Sequence, residues 1–184
     1  MMRFIMCLFL SGVLFFSPAN LPAKEISSEP DEHQVKAQKQ EIVVQWAKDN
    51  LPQTGVLREE KHGFIYLKVD DDYIIRLFPM LHPGGYSKPP YFRRFDSPGA
   101  HISVFYVDER KQTGGIKEIG QRYSFTITGL ASVPPQSHEY IVLEVESPGL
   151  EELRKKYGLS PLLKEHKFHI TIAKKKRTHY PRKG

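Results

Sequence analysis

The sequence predicts an α+β fold with largely antiparallel sheets, gathered in one domain, and three observations lead there. Short runs of β-branched and aromatic residues recur at hairpin spacing along the chain. Helical periodicity is confined to two stretches, one before these runs and one near their end. The length, 184 residues, suits one domain of ordinary size with a real core. Together they predict two helices and about six strands.

The first stretch stands outside that inventory. "MMRFIMCLFLSGVLFF" sets Arg3 ahead of an apolar run from Phe4 to Phe16, and the small and turn residues of "SPANLPA" follow. A charged start, a short apolar middle and a small residue at the cut describe a secretory signal peptide over 1–23, cleaved after Ala23, with Ala19 as the alternative. The run is short for a bilayer span, and an uncleaved N-terminal anchor is the rival reading. The expected location is therefore secreted or periplasmic, with no stable membrane association after cleavage. The single cysteine, Cys7, leaves with the leader, which excludes disulfides, thiolate zinc sites and cysteine nucleophiles from the mature chain. The formal net charge of +6 falls by one with Arg3. A mildly basic surface suits anionic partners such as phosphates, nucleic acid or anionic lipid, and ordinary solubility charge equally.

"KEISSEPDEH" (24–33) is polar and acidic, with a proline, and reads as a flexible lead-in. From Val35 to Leu51 the apolar residues approximate helical spacing, with Asn50 and Pro52 as a stop. "GFIYLKV" (63–69) and "YIIRLF" (73–78) read as a hairpin turned at Asp70-Asp71-Asp72, whose carboxylates are a solvated tip rather than a cation site. Pro79 to Gly99 is rich in proline and reads as a long loop, in which Tyr91, Phe92 and Phe95 interleave with Arg93 and Arg94. Such a loop stacks bases and attracts phosphate, or staples itself to the core by its aromatics. "HISVFYV" (101–107), "RYSFTITGL" (122–130) and "EYIVLEVE" (139–146) are further strands. "SPGLEELRKKYG" (147–158) has Ser147 as cap, Pro148 in the first turn and Gly158 at the end, and reads as a helix. "HKFHITIAKKK" (166–176) is the last strand, and a basic tail closes the chain.

One short pattern recurs. Residues 101–104 (His-Ile-Ser-Val) and 169–172 (His-Ile-Thr-Ile) are both His-apolar-hydroxyl-apolar on expected strands. Period-2 alternation sets His101 and Ser103 on one face and Ile102 and Val104 on the other, and it divides His169 and Thr171 from Ile170 and Ile172 in the same way. With the apolar faces in the core, each strand offers an imidazole and a hydroxyl about 7 Å apart to the opposite side. His166, three residues before His169, points to the other face, so a chelate between them is not expected. His62, His82, His138 and His179 have no motif partner and read as surface or loop residues.

On these two motifs the chain resembles the two-histidine (2H) phosphoesterase superfamily, which includes RNA ligase-like and 2′,3′-cyclic phosphodiesterase enzymes. The resemblance spans roughly Val35 to Lys176. It looks closest to the bacterial members described as Swiss-army-knife RNA-repair-like. It implies a bilobed α+β fold over 34–177, with mostly antiparallel sheets around a central groove, helices outside, and 178–184 as basic tail. It also implies a metal-independent phosphodiesterase with no cofactor, acting on RNA ends bearing 2′,3′-cyclic phosphates or on cyclic nucleotides; separately from the resemblance, a monomer is expected. By the same resemblance His101 and His169 are the catalytic acid–base pair, while Ser103 and Thr171 grip phosphate. The chemistry fits the residue types. Histidine titrates nearest neutrality, so one can accept a proton and its twin donate one, and hydroxyls can hold the non-bridging oxygens. Which histidine is the base stays open. Lys174, just beyond the second motif, is placed to touch substrate. The rival from another class is a secreted module that binds an anionic ligand in the same groove without turnover.

Overall fold

The computed structural model describes residues 32–81, 85–90, 97–133 and 138–176. The leader at 1–23, the lead-in up to residue 31, the aromatic-basic segment 91–96 and the tail 178–184 lie outside the described residues. Helix α1 (Glu32–Asn50) leads into strands β1 (Thr54–Glu59) and β2 (Ile65–Lys68), then short helices α2 (Asp72–Ile75) and α3 (Leu77–Leu81). Strand β3 (His101–Phe105), helix α4 (Val107–Thr113), and strands β4 (Arg122–Ser124), β5 (Thr126–Val133) and β6 (His138–Glu146) follow. Helix α5 (Pro148–Lys156) and strand β7 (Phe168–Lys176) complete the order.

Among the described residues the seven strands form one sheet in the order β4-β1-β2-β3-β7-β6-β5. Every neighbouring pair is antiparallel. The architecture is therefore the expected α+β class. Phe125 alone separates β4 from β5, yet these strands stand at opposite ends of the order. A chain that leaves one edge and joins the other within one residue forces the sheet to curl until its edges approach.

The two motif strands, β3 and β7, are neighbours at the centre, each flanked by its own half-sheet. Ile102, Val104, Ile170 and Ile172 are fully buried, and they join Val43 and Ala47 of α1 and Leu150 and Leu153 of α5 in one apolar cluster. Each such side chain removed from water stabilises the fold by about 1.5–3 kcal/mol. That burial locks the strand register, because a slip of one residue would turn the apolar set outward and the histidines in.

Four local expectations are corrected. The segment 73–78 is helical and not the second arm of a hairpin. The Asp70 carboxylate accepts the Asp72 amide at 2.9 Å, which ends the extended chain, and Tyr73, Ile74 and Leu77 then bury one helical face. Both edges of β2 are already taken by β1 and β3. The strand expected through Val107 stops at Phe105, where the Glu109 carboxylate accepts the Tyr106 amide at 2.9 Å and opens α4. The run 122–130 is divided between the two sheet edges. Ser147 precedes α5 as expected, but its hydroxyl donates to the Ser124 carbonyl at 2.6 Å instead of capping the helix, tying α5 to β4.

Candidate active site

The central register builds the site. Ile102 stands opposite Ile170 in the antiparallel β3–β7 pair. One residue either way, His101 faces Thr171 and Ser103 faces His169, all four on the side away from the core. Facing side chains in such a pair lie about 5 Å apart at Cβ, and diagonal ones about 7–8 Å. The histidines thus occupy one diagonal of a small rectangle and the hydroxyls the other. All four line one open cavity of about 420 Å³. The sequence shows two similar motifs 68 residues apart, and the fold sets them side by side in opposite directions.

Both rings are held in the same way. His101 Nδ1 lies 2.8 Å from the Gly99 carbonyl, and His169 Nδ1 lies 3.0 Å from the Lys167 carbonyl, each two residues upstream. A carbonyl only accepts, so Nδ1 carries a proton in both rings and Nε2 is the nitrogen that exchanges one. The surroundings then differ. Burial lowers the His101 pKa below the ordinary imidazole value. The Gly99 carbonyl opposes this, and the charges of Lys68 and His169 add to it. His101 also packs edge-on against Phe64 and Tyr66, with ring centroids at 5.7 and 5.4 Å. Across the outer strand pairs, Lys68 stands opposite His101, whereas Glu144 stands opposite His169.

The cavity has walls that the motifs do not announce. Phe64, Tyr106, Glu60 and Pro98 line it on the side of the first motif, and Tyr140, Val142 and Val133 on the side of the second. Phe64 lies nearly parallel to Tyr66 and to Tyr106, at 5.5 and 6.3 Å between centroids, forming an aromatic wall beside His101. Burial is the main cause that raises the Tyr106 pKa, so its hydroxyl remains a donor at neutral pH. The signal for these residues lies in period 2. Phe64 and Tyr66 fall on the same face of the chain entering and running through β2, as do Tyr140 and Val142 in β6, and these strands flank the motif strands.

Other expected contributors fall elsewhere. Lys174 is not among the residues lining the cavity, and its ammonium lies 6.0 Å from the centre of the ring of Tyr140, which is. His166 is exposed and bridges Leu163 in a tight turn, and His62 is exposed. Asp71, read as part of a solvated tip, accepts the Ala100 amide at 2.9 Å and pairs with Lys68.

Comparison with curated proteins and with solved structures returns no match. The model of a protein family, the Swiss Army Knife 2H phosphoesterase domain, matches residues 65–180, a segment that contains both motif strands and every residue lining the cavity except Glu60 and Phe64. With well over half of its length matched, and with the paired motifs meeting at the centre of its sheet, the chain belongs to the Swiss Army Knife family of 2H phosphoesterase domains.

Proposed function

We propose that this phosphoesterase domain opens 2′,3′-cyclic phosphates, at RNA ends or on nucleotides, by acid–base catalysis between His101 and His169. The observation that carries the reading is the crossed arrangement of two imidazoles and two hydroxyls in one cavity. An in-line displacement at phosphorus needs proton acceptor and donor on opposite sides of the phosphate, as the histidine diagonal supplies. Ser103 and Thr171, on the other diagonal, face the non-bridging oxygens and donate to them as charge builds. One Nε2 takes a proton from the attacking water as the new P–O bond forms. The other gives its proton to the ribose oxygen as the old P–O bond breaks, and solvent exchange restores both. His101, kept neutral by its burial, suits the accepting role, and His169 then donates. The aromatic wall of Phe64 and Tyr106 offers a face on which a base can stack, which favours a nucleotide over a simple phosphodiester.

The test is direct. Purified protein in EDTA should hydrolyse 2′,3′-cyclic nucleotides or RNA ending in a cyclic phosphate. His101→Ala and His169→Ala should each lower turnover by about 10²–10⁴-fold, the usual worth of a positioned acid or base. Ser103→Ala and Thr171→Ala should cost about 10–100-fold. Full activity in both histidine variants would overturn the reading, and tight binding without turnover in the unaltered protein would establish the non-catalytic module instead.

A further inference from the structure

Behind His101 stands a group that the reaction does not use. Lys68 closes β2 opposite His101 and forms an ion pair with Asp71, the residue that precedes α2. The same Asp71 oxygen accepts the amide of Ala100 at 2.9 Å. Ala100 follows Gly99, whose carbonyl accepts from His101 Nδ1 at 2.8 Å, and Lys68 accordingly lies beside the turn that delivers the first motif. Gly99 is fitted tightly between these groups. Its φ of +65° is a left-handed conformation, and an added Cβ would collide with the Asp71 carboxylate and lie 2.6 Å from Lys68 Nζ. The second half of the sheet is arranged differently among the described residues: Glu144 stands opposite His169 and pairs with Lys167 at 3.9 Å.

We infer that the Lys68–Asp71 pair is a positioning device for His101: it clamps the Gly99–Ala100 backbone, fixing the ring whose Nδ1 the Gly99 carbonyl holds, and sets the charge around it. The inference rests on the reading of His101 as a catalytic residue. Among the described residues the charged and titratable groups around His101 include Lys68 and Tyr66 from β2 and His169 from β7, with Asp71 behind Lys68, and Glu60 and Tyr106 line the same cavity. Lys68 disfavours the imidazolium, and the Asp71 carboxylate partly cancels Lys68. The two members of the pair should therefore act on His101 in opposite directions, which a brace of merely structural worth would not do.

The experiment follows the titration of His101 by NMR in the free protein, its resonance assigned by loss in His101→Ala, together with the pH profile of kcat/KM on a 2′,3′-cyclic nucleotide. Lys68→Met should raise the His101 midpoint by about 0.3–1 pH unit and Asp71→Asn should lower it by a similar amount. The acid limb of the rate profile should move with each. Asp71→Asn keeps an oxygen for the Ala100 amide and should lose less turnover than Asp71→Ala, which should lose about 10–100-fold in kcat with KM little changed. Gly99→Ala should behave as Asp71→Ala or worse. Midpoints that stay put, or that move the same way in both variants, would overturn the proposal. The NMR result stands whether or not the protein turns over the nucleotide. Opposed midpoint shifts without hydrolysis would uphold the charge coupling and reject the catalytic reading, and hydrolysis without them would do the reverse.

Discussion

Replacing Arg154 with methionine should destabilise the domain by about 4 kcal/mol at pH 7, a large part of what holds a domain of this size together. Arg154 is fully buried on α5. Its guanidinium donates to the Val104 carbonyl at 2.5 Å, to Ser160 at 2.7 Å and to Leu162 at 3.1 Å, and it forms a two-pronged pair with Glu109 at 2.7 and 3.2 Å. Each hydrogen bond to a charged donor contributes about 1.5–3 kcal/mol, but water reaching the partly exposed Glu109 recovers part of the sum, which leaves the figure usual for one lost partner of a buried pair. Methionine keeps most of the packing against Phe105, whose ring lies 5.6 Å from the guanidinium carbon. The loss therefore reports polar groups and little cavity.

Urea unfolding followed by circular dichroism at several pH values measures it, and pH sharpens the test. Burial raises the Glu109 pKa, but the hydrogen bonds from Arg154 and the Tyr106 amide, with the Arg154 charge, outweigh it and leave the carboxyl below its usual value. A depressed carboxylate stabilises the fold above its unfolded value of about 4.3 and loses that contribution as pH falls through the folded value. The variant has no such contribution, so its deficit should shrink as the pH is lowered past 4. A deficit under about 1 kcal/mol at pH 7, or one independent of pH, would refute the reasoning. Because Val104 belongs to the first motif strand and Ser160 and Leu162 lie on the approach to the second, turnover should fall together with stability.

Three other outcomes are expected. His101, with its pKa lowered by burial, contributes stability that is complete above the unfolded imidazole value of about 6.5 and drains away as pH falls below it. His101→Gln should thus flatten the stability–pH curve between about pH 6.5 and 5, and parallel curves for the two proteins would contradict the burial argument. Phe64→Ala should raise KM for a 2′,3′-cyclic nucleotide by about 5–100-fold, the usual worth of one stacked base, while leaving KM for ribose 2′,3′-cyclic phosphate nearly unchanged. An equal rise for both substrates would remove the base from that wall. Ser147→Ala should cost about 1 kcal/mol in urea unfolding through its lost 2.6 Å bond to Ser124, and a neutral result would show that bond to carry little.

Much of this protein was legible along the chain because it depends on local alternation. The strands that carry the motifs declare themselves by their apolar face, and the same period 2 sets His101 with Ser103 and His169 with Thr171. Those pairings need no knowledge of the fold, and their repetition was enough to point to a family that the match to residues 65–180 bears out. The helix after Ser147 was equally plain, from its proline, early acids and closing glycine.

Tertiary structure alone decided the rest, because it depends on which groups meet across long separations in the chain. "YIIRLF" has strand composition, yet β2 had no edge to offer it, and Tyr73, Ile74 and Leu77 bury better as a helix. Asp71 looked like a solvated tip until the fold brought Ala100 and Lys68 to it. Phe64 and Tyr106 became a wall only when β2 and β3 paired. Most of all, alternation sets a histidine and a hydroxyl on each strand but says nothing of how the strands align. The register of Ile102 against Ile170, imposed by burying both, is what crosses the two pairs and makes one four-residue site from two ordinary strand faces.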